Sequence, residues 1–296
     1  MNELTQVTVH IVNAFVDGNE GENPAGVVVD ANRLSAVQKL QVAQSVGLSE
    51  TAFVSASATA TLKLEFYTPT QQIAHCGHAT IATFLLLREL GLLHEGKHSK
   101  ETIDGNRDVI VESDMAFMEQ RAPSFKNLDR ASDSYARVLR SLGLLDPQLL
   151  AGIAPCVVDT GNAMLLIGVD SEGILGELRP DLAVIEEVSE ALGLIGYYPF
   201  SLETKKAGRQ AAARMFAPRY GIAEEAGTGM AAGPLACFLH AALDVRLSSF
   251  LIEQGWFMHP PSSSVITVNL KLEQSRIVGL MAGGRAKSMR VDRVNV

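Results

Sequence analysis

The sequence predicts an α+β chain of two like domains, each an antiparallel sheet curled around one central helix. Three observations predict it. The first is repetition. "LKLEFYTPTQQIAHCGHATIATFLLL" (Leu62 to Leu87) and "RMFAPRYGIAEEAGTGMAAGPLACFL" (Arg214 to Leu239) follow one grammar. In each, a Phe ends a strand (Phe66, Phe216) and a Pro follows (Pro69, Pro218). A Gly then stands eleven residues after the Phe (Gly77, Gly227), at the start of a small-residue apolar helix. An upstream echo, "ENPAGVVV" (Glu22 to Val29) and "DTGNAMLLIGV" (Asp159 to Val169), sets Asn and Gly beside an aliphatic strand in both halves. The second observation is that the helices over 78–91 and 231–242 are apolar nearly all round. A helix without a polar face is buried, and one per half implies one central helix per sheet. The third is the hairpin pattern of "DVIVESDMAFMEQ" (Asp108 to Gln120), with more strands than helices. That argues against regular βαβ units and a doubly wound sheet.

The elements follow in order. The first strand, over 6–15, alternates Val7, Val9 and Ile11 with Thr8, His10 and Val12. Further strands are expected over 24–29, 51–55, 61–67, 108–112 and 115–119, then 156–159, 163–168, 196–200, 210–216, 250–254 and 264–270. The remaining helices are expected over 35–46, 131–142 and 181–192. The polar stretch 120–135, "QRAPSFKNLDRASDSY", reads as the link between domains. It sets a first domain over 1–122 and a second over 123–277.

Composition excludes several functions. The chain has 296 residues, 47% apolar and 20% charged, enough for two packed domains. A net charge of −8 and the lack of any basic run argue against nucleic-acid binding. No apolar run is long enough to span a membrane, and the opening residues read as a strand, not a leader. The three cysteines, Cys76, Cys156 and Cys237, do not form a disulfide framework, so a cytoplasmic chain with reduced thiols is expected. No CxxC, HExxH or EF-hand spacing implies a metal, and no dinucleotide or Walker fingerprint implies a nucleotide cofactor.

The two repeated turns carry the candidate site. Helix N-termini hold unpaired N–H groups and partial positive charge, a natural seat for an anion. Cys76-Gly77-His78 opens one buried helix, and Gly227-Thr228-Gly229 opens the other. If like domains point these turns at one cleft, a small anion would be held from both sides. Glycine there lets backbone approach closely.

"NPAGVVV", "LSETAFV", "FYTPTQQIAHCGHAT" and "MFAPRYGIAEEAGTGMA", with "EQG" at Glu253 and "AGG" at Gly283, resemble the PhzF-like family of phenazine biosynthesis. That family has the diaminopimelate-epimerase-like fold. The matches run in order over almost the whole chain; "NEGE" (Asn19 to Glu22) interrupts the first motif. The resemblance implies two pseudo-symmetric domains, each a barrel-like sheet around a helix, with residues from about 278 to 296 crossing back to complete the first. It implies a cleft for a small anionic substrate, no cofactor, and often a homodimer.

It also implies roles. Glu50 matches the family's general acid/base, a task for a carboxyl in a partly dry site. His78 matches the histidine at the first helix mouth, and an imidazole titrates near about 6.5, suited to sharing a proton. Glu225 falls where an Asp is common and completes the catalytic set. Asn23, Ser49, Cys76, Gly77, Gly227, Thr228, Gly229 and Met230 are the expected substrate contacts. The chain departs from the family at Gln72 (usually Glu), Ala226 (Pro) and Met230 (Ser), which bears on the substrate. His75 has no assigned role.

Cys76 separates two chemistries. Racemases of this fold flank the substrate carbon with two thiols. By the duplication the second would precede Gly227, where Ala226 stands, and Cys237 lies within the apolar helix. What the resemblance implies is therefore a cofactor-independent isomerase working through Glu50. A non-catalytic binding module on the same fold, or a thiol-dependent epimerase using Cys76, are the alternatives.

Overall fold

A computed structural model describes residues 5–150 and 152–296. The chain divides into two compact units, Met1–Glu119 with Gly283–Val296, and Gln120–Ala282.

The first unit contains β1 (Gln6–Ala14), β2 (Pro24–Val28), α1 (Ala36–Val46), β3 (Thr51–Ser55), β4 (Leu62–Tyr67), β5 (Gln72–Ile73), α2 (Gly77–Glu89), β6 (Gly96–Thr102) and β7 (Gly105–Glu112). β8 (Met115–Arg121) runs out of it into the second unit, which holds β9 (Ser124–Asn127), α3 (Asp133–Leu142), β10 (Cys156–Asp159), β11 (Ala163–Gly168), α4 (Glu172–Glu177) and α5 (Leu182–Leu192). It continues through β12 (Gly196–Ser201), β13 (Ala211–Ala213), α6 (Gly229–Ala242), β14 (Ser249–Gln254) and β15 (Ser264–Glu273). The last strand, β16 (Arg276–Asn295), begins in the second unit and ends in the first.

In the first unit the order is β1-β2-β3-β4-β6-β7-β8-β16, and β16 pairs back onto β1, closing an eight-stranded ring. The second unit orders β16-β15-β14-β13-β12-β11-β10-β9. The duplication is legible in the pairings. β1–β2, β3–β4 and β6–β7 are antiparallel, while β2–β3 and β4–β6 are parallel. β10–β11, β12–β13 and β14–β15 are antiparallel, while β11–β12 and β13–β14 are parallel. Each sheet is thus mixed, and each parallel step is made by a helical crossover. α1 and α2 make the two steps in the first unit, and α5 and α6 in the second.

The central helices have the burial their composition predicts. Residues Gly77 to Leu87 of α2 are all buried, as are Gly229 and Ala231 to His240 of α6. The peripheral helices α1, α3, α4 and α5 are capped by Ser35, Ser132, Ser171 and Asp181, whose side chains accept first-turn N–H groups. α3, α5, Tyr197 and Phe216 pack into a core of their own with Ile167 and Leu175.

The stretch 120–135 is not a plain link. Ser124–Asn127 forms β9, antiparallel to β10 with Cys156 opposite Asn127, and α3 starts at Asp133. β6 also lies outside the expected strands, because "GKHSKET" lacks an apolar alternation. β16 covers the residues that the family resemblance sent back toward the first domain, and its second half has no buried residue. The strand expected over 210–216 is only Ala211–Ala213; Phe216 makes an isolated bridge to Tyr197 instead.

Gly233 shows how closely α6 is packed. A Cβ there would meet Gln120 Oε1 at 2.4 Å and Leu280 Cδ1 at 2.7 Å. The Gln120 amide cannot swing clear, because Oε1 accepts from Thr160 Oγ1 at 2.7 Å and Nε2 donates to Gly229 O at 2.8 Å. Gly→Ala inside a helix gains about 1 kcal/mol of propensity; overpacking a fixed core costs about 1–3 kcal/mol. We expect the clash to win: Gly233→Ala lowers the urea midpoint without changing the slope, and a raised midpoint would show that the contact relaxes.

Candidate active site

Glu50 is placed by two local devices. α1 ends at Gly47 in the left-handed conformation (φ 68°), turning the chain toward β3. The Gly26 N–H then donates to Glu50 O at 3.1 Å, tying the start of β2 beside it. The Glu50 side chain is buried, and its Oε2 makes no hydrogen bond among the described residues. A buried carboxylate oxygen without a donor is costly and calls for an explanation. Ser49, one residue earlier, is exposed. Asn23 is buried, and its carbonyl accepts from the Ala14 N–H at 3.0 Å.

α2 brings the other half. Its N-cap residue is Cys76, with Gly77 and His78 in the first turn, all buried. His78 Nε2 lies 3.4 Å from Glu50 Oε2, and His78 Nδ1 lies 3.6 Å from Cys76 Sγ. The imidazole therefore stands between thiol and carboxylate, one nitrogen toward each. The His78–Glu50 spacing exceeds the usual range of about 2.7–3.2 Å; catalytic contacts are often long without substrate and tighten with it.

Burial pushes the Cys76 thiol up from its ordinary value. His78 and the Ala79 N–H pull the other way, and Glu50 adds to the rise. Cys76 is a protonated thiol. Donor atoms of Glu50, Cys76 and His78 all lie within 4.8 Å of one another, the spacing a metal ion would use. A single imidazole, however, directs only one nitrogen at any one ion. Its two nitrogens are turned to different neighbours, the Cys76 thiol and the Glu50 carboxyl.

The second helix mouth is built differently. Glu225 Oε2 accepts from Thr228 Oγ1 at 2.5 Å. Gln254, the middle residue of "EQG", holds that loop: its Oε1 accepts from Thr228 N–H at 3.1 Å and from Tyr198 OH at 2.8 Å. Its Nε2 donates to Glu225 O at 2.6 Å and to Thr228 Oγ1 at 3.2 Å. The neighbouring Glu224 is instead paired to Arg214 by two bonds of 2.8 and 2.9 Å. Of the adjacent carboxylates, Glu224 is structural and Glu225 belongs to the turn. Gly227 and Gly229 are buried beside Thr228, and Met230 is half-buried with its Sδ 3.5 Å from Asn162 Nδ2. Gln72 sits exposed on β5, and Ala226 is buried.

Sequence reasoning missed Gln254, Asn162 and Lys100. Asn162 follows the turn glycine of "DTGNA" as Asn23 precedes "PAG", so the upstream echo carried its signal. Lys100 had none. It is fully buried on β6, donating to Thr80 Oγ1 at 2.7 Å and His75 Nδ1 at 3.4 Å, with Met118 Sδ at 3.6 Å. Burial lowers its amine from 10.5 to about 7. His75 is held neutral, down to about 2, by the Lys100 charge first and burial second.

The profile of the phenazine biosynthesis-like proteins matches residues 12–289. An uncharacterized isomerase of Escherichia coli K12, YddE, is 32% identical over 240 residues, 78% of each chain. The trans-2,3-dihydro-3-hydroxyanthranilate isomerase of Pseudomonas chlororaphis is 29% identical over 238 residues, 77% of this chain and 78% of that one. The crystal structure of a PhzF-family phenazine biosynthesis protein from Bacillus anthracis superposes with a TM-score of 0.88 at 26% identity, over 99% of this chain and all of that one. The chain belongs to the phenazine biosynthesis-like (PhzF) family. Membership places it among isomerase-like enzymes of the diaminopimelate-epimerase-like fold. No helix among the described residues is long and apolar enough to cross a membrane.

His75 has a consequence for stability. Its folded-state value lies far below its ordinary 6.5, so below that pH the unfolded chain binds a proton that the folded chain refuses. Stability is therefore lost as pH falls from 6.5 toward 2, and nothing is lost above 6.5. One proton corresponds to a slope of about 1.4 kcal/mol per pH unit. His75→Gln keeps an acceptor for Lys100 but cannot titrate. In urea unfolding over the acid range its stability should fall less steeply than wild type by that slope; parallel curves would refute the assignment.

Proposed function

We propose that the protein is a cofactor-independent isomerase that moves a proton on the carbon skeleton of a small anionic, carboxylate-bearing substrate, with Glu50 as general acid/base. One observation carries this reading: a buried carboxylate oxygen of Glu50 with no hydrogen-bond donor among the described residues, set 3.4 Å from His78 Nε2. As carboxylate, Glu50 takes a proton from one carbon; as carboxylic acid it returns the proton at another, and the substrate is isomerised with no net change. His78, 3.4 Å away, shares charge with the carboxyl while the proton is in transit. The first turn of α2 supplies backbone N–H groups and the positive end of the helix for the substrate anion. Glu225 and Thr228 are proposed in the parallel role at α6. The isomerase named for the Pseudomonas relative supports the reaction class. The departures at Ala226 and Met230 leave its substrate a poor guide to this one.

A thiol mechanism finds less support. Cys76 is buried and its thiol is pushed up rather than down, the opposite of a reactive cysteine. Its repeat counterpart is Ala226. A binding module without chemistry is the competing reading, and a single experiment separates the three. Small carboxylic acids are incubated with the protein in deuterated water, and exchange of a substrate C–H is followed by proton NMR. Glu50→Gln keeps the shape but loses the titrating proton, so turnover of any hit should drop by about 10²–10⁴-fold with affinity near wild type. Undiminished exchange in this variant would remove Glu50 from the mechanism.

Cys76→Ala, folded, should retain exchange within a few-fold; its loss would reinstate the thiol. Binding of several acids with exchange of none would establish the binding module.

A further inference from the structure

We infer that Lys100 is a positioning residue for the active site: acting through Thr80, it fixes the first turn of α2 and so holds His78 against Glu50. This rests on the reading of Glu50 and His78 as the proton-moving pair.

The geometry is a chain of directed bonds. Below its value of about 7 Lys100 is an ammonium, which can only donate. Thr80 Oγ1, 2.7 Å away, must therefore accept from it and spend its single hydrogen elsewhere. That hydrogen goes to Cys76 O at 2.6 Å. The same carbonyl takes the Thr80 N–H at a long 3.3 Å, so the hydroxyl supplies the shorter bond that closes the first turn. Cys76 and His78 lie on either side of Gly77, a residue with no side chain to hold them. Three acceptors, Thr80 Oγ1, His75 Nδ1 and Met118 Sδ, match the three N–H groups of an ammonium, and the Phe66 ring lies 5.1 Å from the nitrogen. Of the titratable groups facing Lys100, Arg107 on β7 opposes its charge, while Cys76 would favour it only as a thiolate and is held as the neutral thiol. His75 stays neutral and can accept. A fully buried lysine is costly to keep, and nothing in the reaction above uses its amine as a reactant.

The second unit repeats the device with other atoms. Gln254, buried on β14, bonds the Thr228 N–H and Glu225 O at the mouth of α6. β6 and β14 occupy corresponding places, each the first strand after the central helix and parallel to an earlier strand of its unit, β4 and β13.

The test reads the hold directly and needs no substrate. Cys76, Cys156 and Cys237 are all buried. Their alkylation by N-ethylmaleimide in the folded protein is timed separately by peptide mass spectrometry, at one pH below the Lys100 value of about 7, where the amine is charged. Lys100→Met keeps the stem and loses the donors. Thr80→Val keeps the shape and charge balance but cuts the chain. Both should speed alkylation of Cys76 by about tenfold or more, the loss expected for one charge-assisted bond, with Cys156 and Cys237 unchanged. Thr80→Ser, which restores the hydroxyl, should match wild type. The His78 imidazole signal should move in both disruptive variants and not in Thr80→Ser. If all three thiols accelerate together, Lys100 acts only on global stability. If Cys76 alkylation and the His78 signal stay as in wild type, Lys100 holds nothing. Either result overturns the inference. Wild-type protein that exchanges no acid would sink the isomerase reading while leaving this measurement intact.

Discussion

Everything at the candidate site follows from burying two helices on all sides. A helix cannot satisfy its own first N–H groups. At a surface, a serine or aspartate cap does so, as Ser35, Ser132, Ser171 and Asp181 do here. α2 and α6 have Cys76 and Thr228 at the N-cap, and neither side chain makes the cap bond. Their first turns are instead braced from neighbouring strands, by Lys100 through Thr80 and by Gln254 through Thr228. A turn held from behind leaves its front available to a ligand. The absence of ordinary caps at these two helices and their presence at the other four is one pattern with one cause.

The mixed sheets serve the same end. A purely antiparallel sheet can be built from hairpins, but a central helix must enter and leave through a crossover, which joins parallel strands. In both units the crossover through the central helix links strands on either side of it, β4 to β6 and β13 to β14. The strand after the helix is therefore forced alongside it. That is where Lys100 and Gln254 sit, and why a strand residue can reach the helix mouth. β16 supplies the first ring's last strand from the end of the chain, pairing Gln6 with Asn295. Deleting the C-terminal strand would reopen the ring that encloses α2.

How much of this was legible in the sequence depended on whether a residue's role was local. The repeat was legible because helix, glycine turn and preceding strand are contiguous in each copy. Glu50 was legible through the motif around it, and the burial of α2 and α6 through their composition. β6 was not: "GKHSKET" has lysines where a strand would show apolar alternation, yet Lys100 points inward. β9 was hidden because all four of its residues are exposed. Gln254 lies beyond the helix it braces, and nothing near it in sequence tells of Thr228. Glu224 and Glu225 looked alike; only Arg214, a partner ten residues upstream, separates them.

If His78 shares a proton as proposed, its two neighbours decide which chemistry the family scaffold supports here. Thiol and carboxylate compete for the same imidazole. A thiolate at Cys76 would need His78 charged and turned to it, yet Glu50 disfavours a second negative charge nearby and burial disfavours any. A proton on the carbon side is thus best handled by the carboxyl, with the thiol left neutral as a small buried neighbour. A single acid/base that takes and returns the same proton can move a double bond or shift a hydrogen along one face. It does not by itself invert a stereocentre, which needs a donor on the opposite face. Under the proposed role of Glu50, the residues around α2 therefore favour isomerisation over racemisation, on the same scaffold.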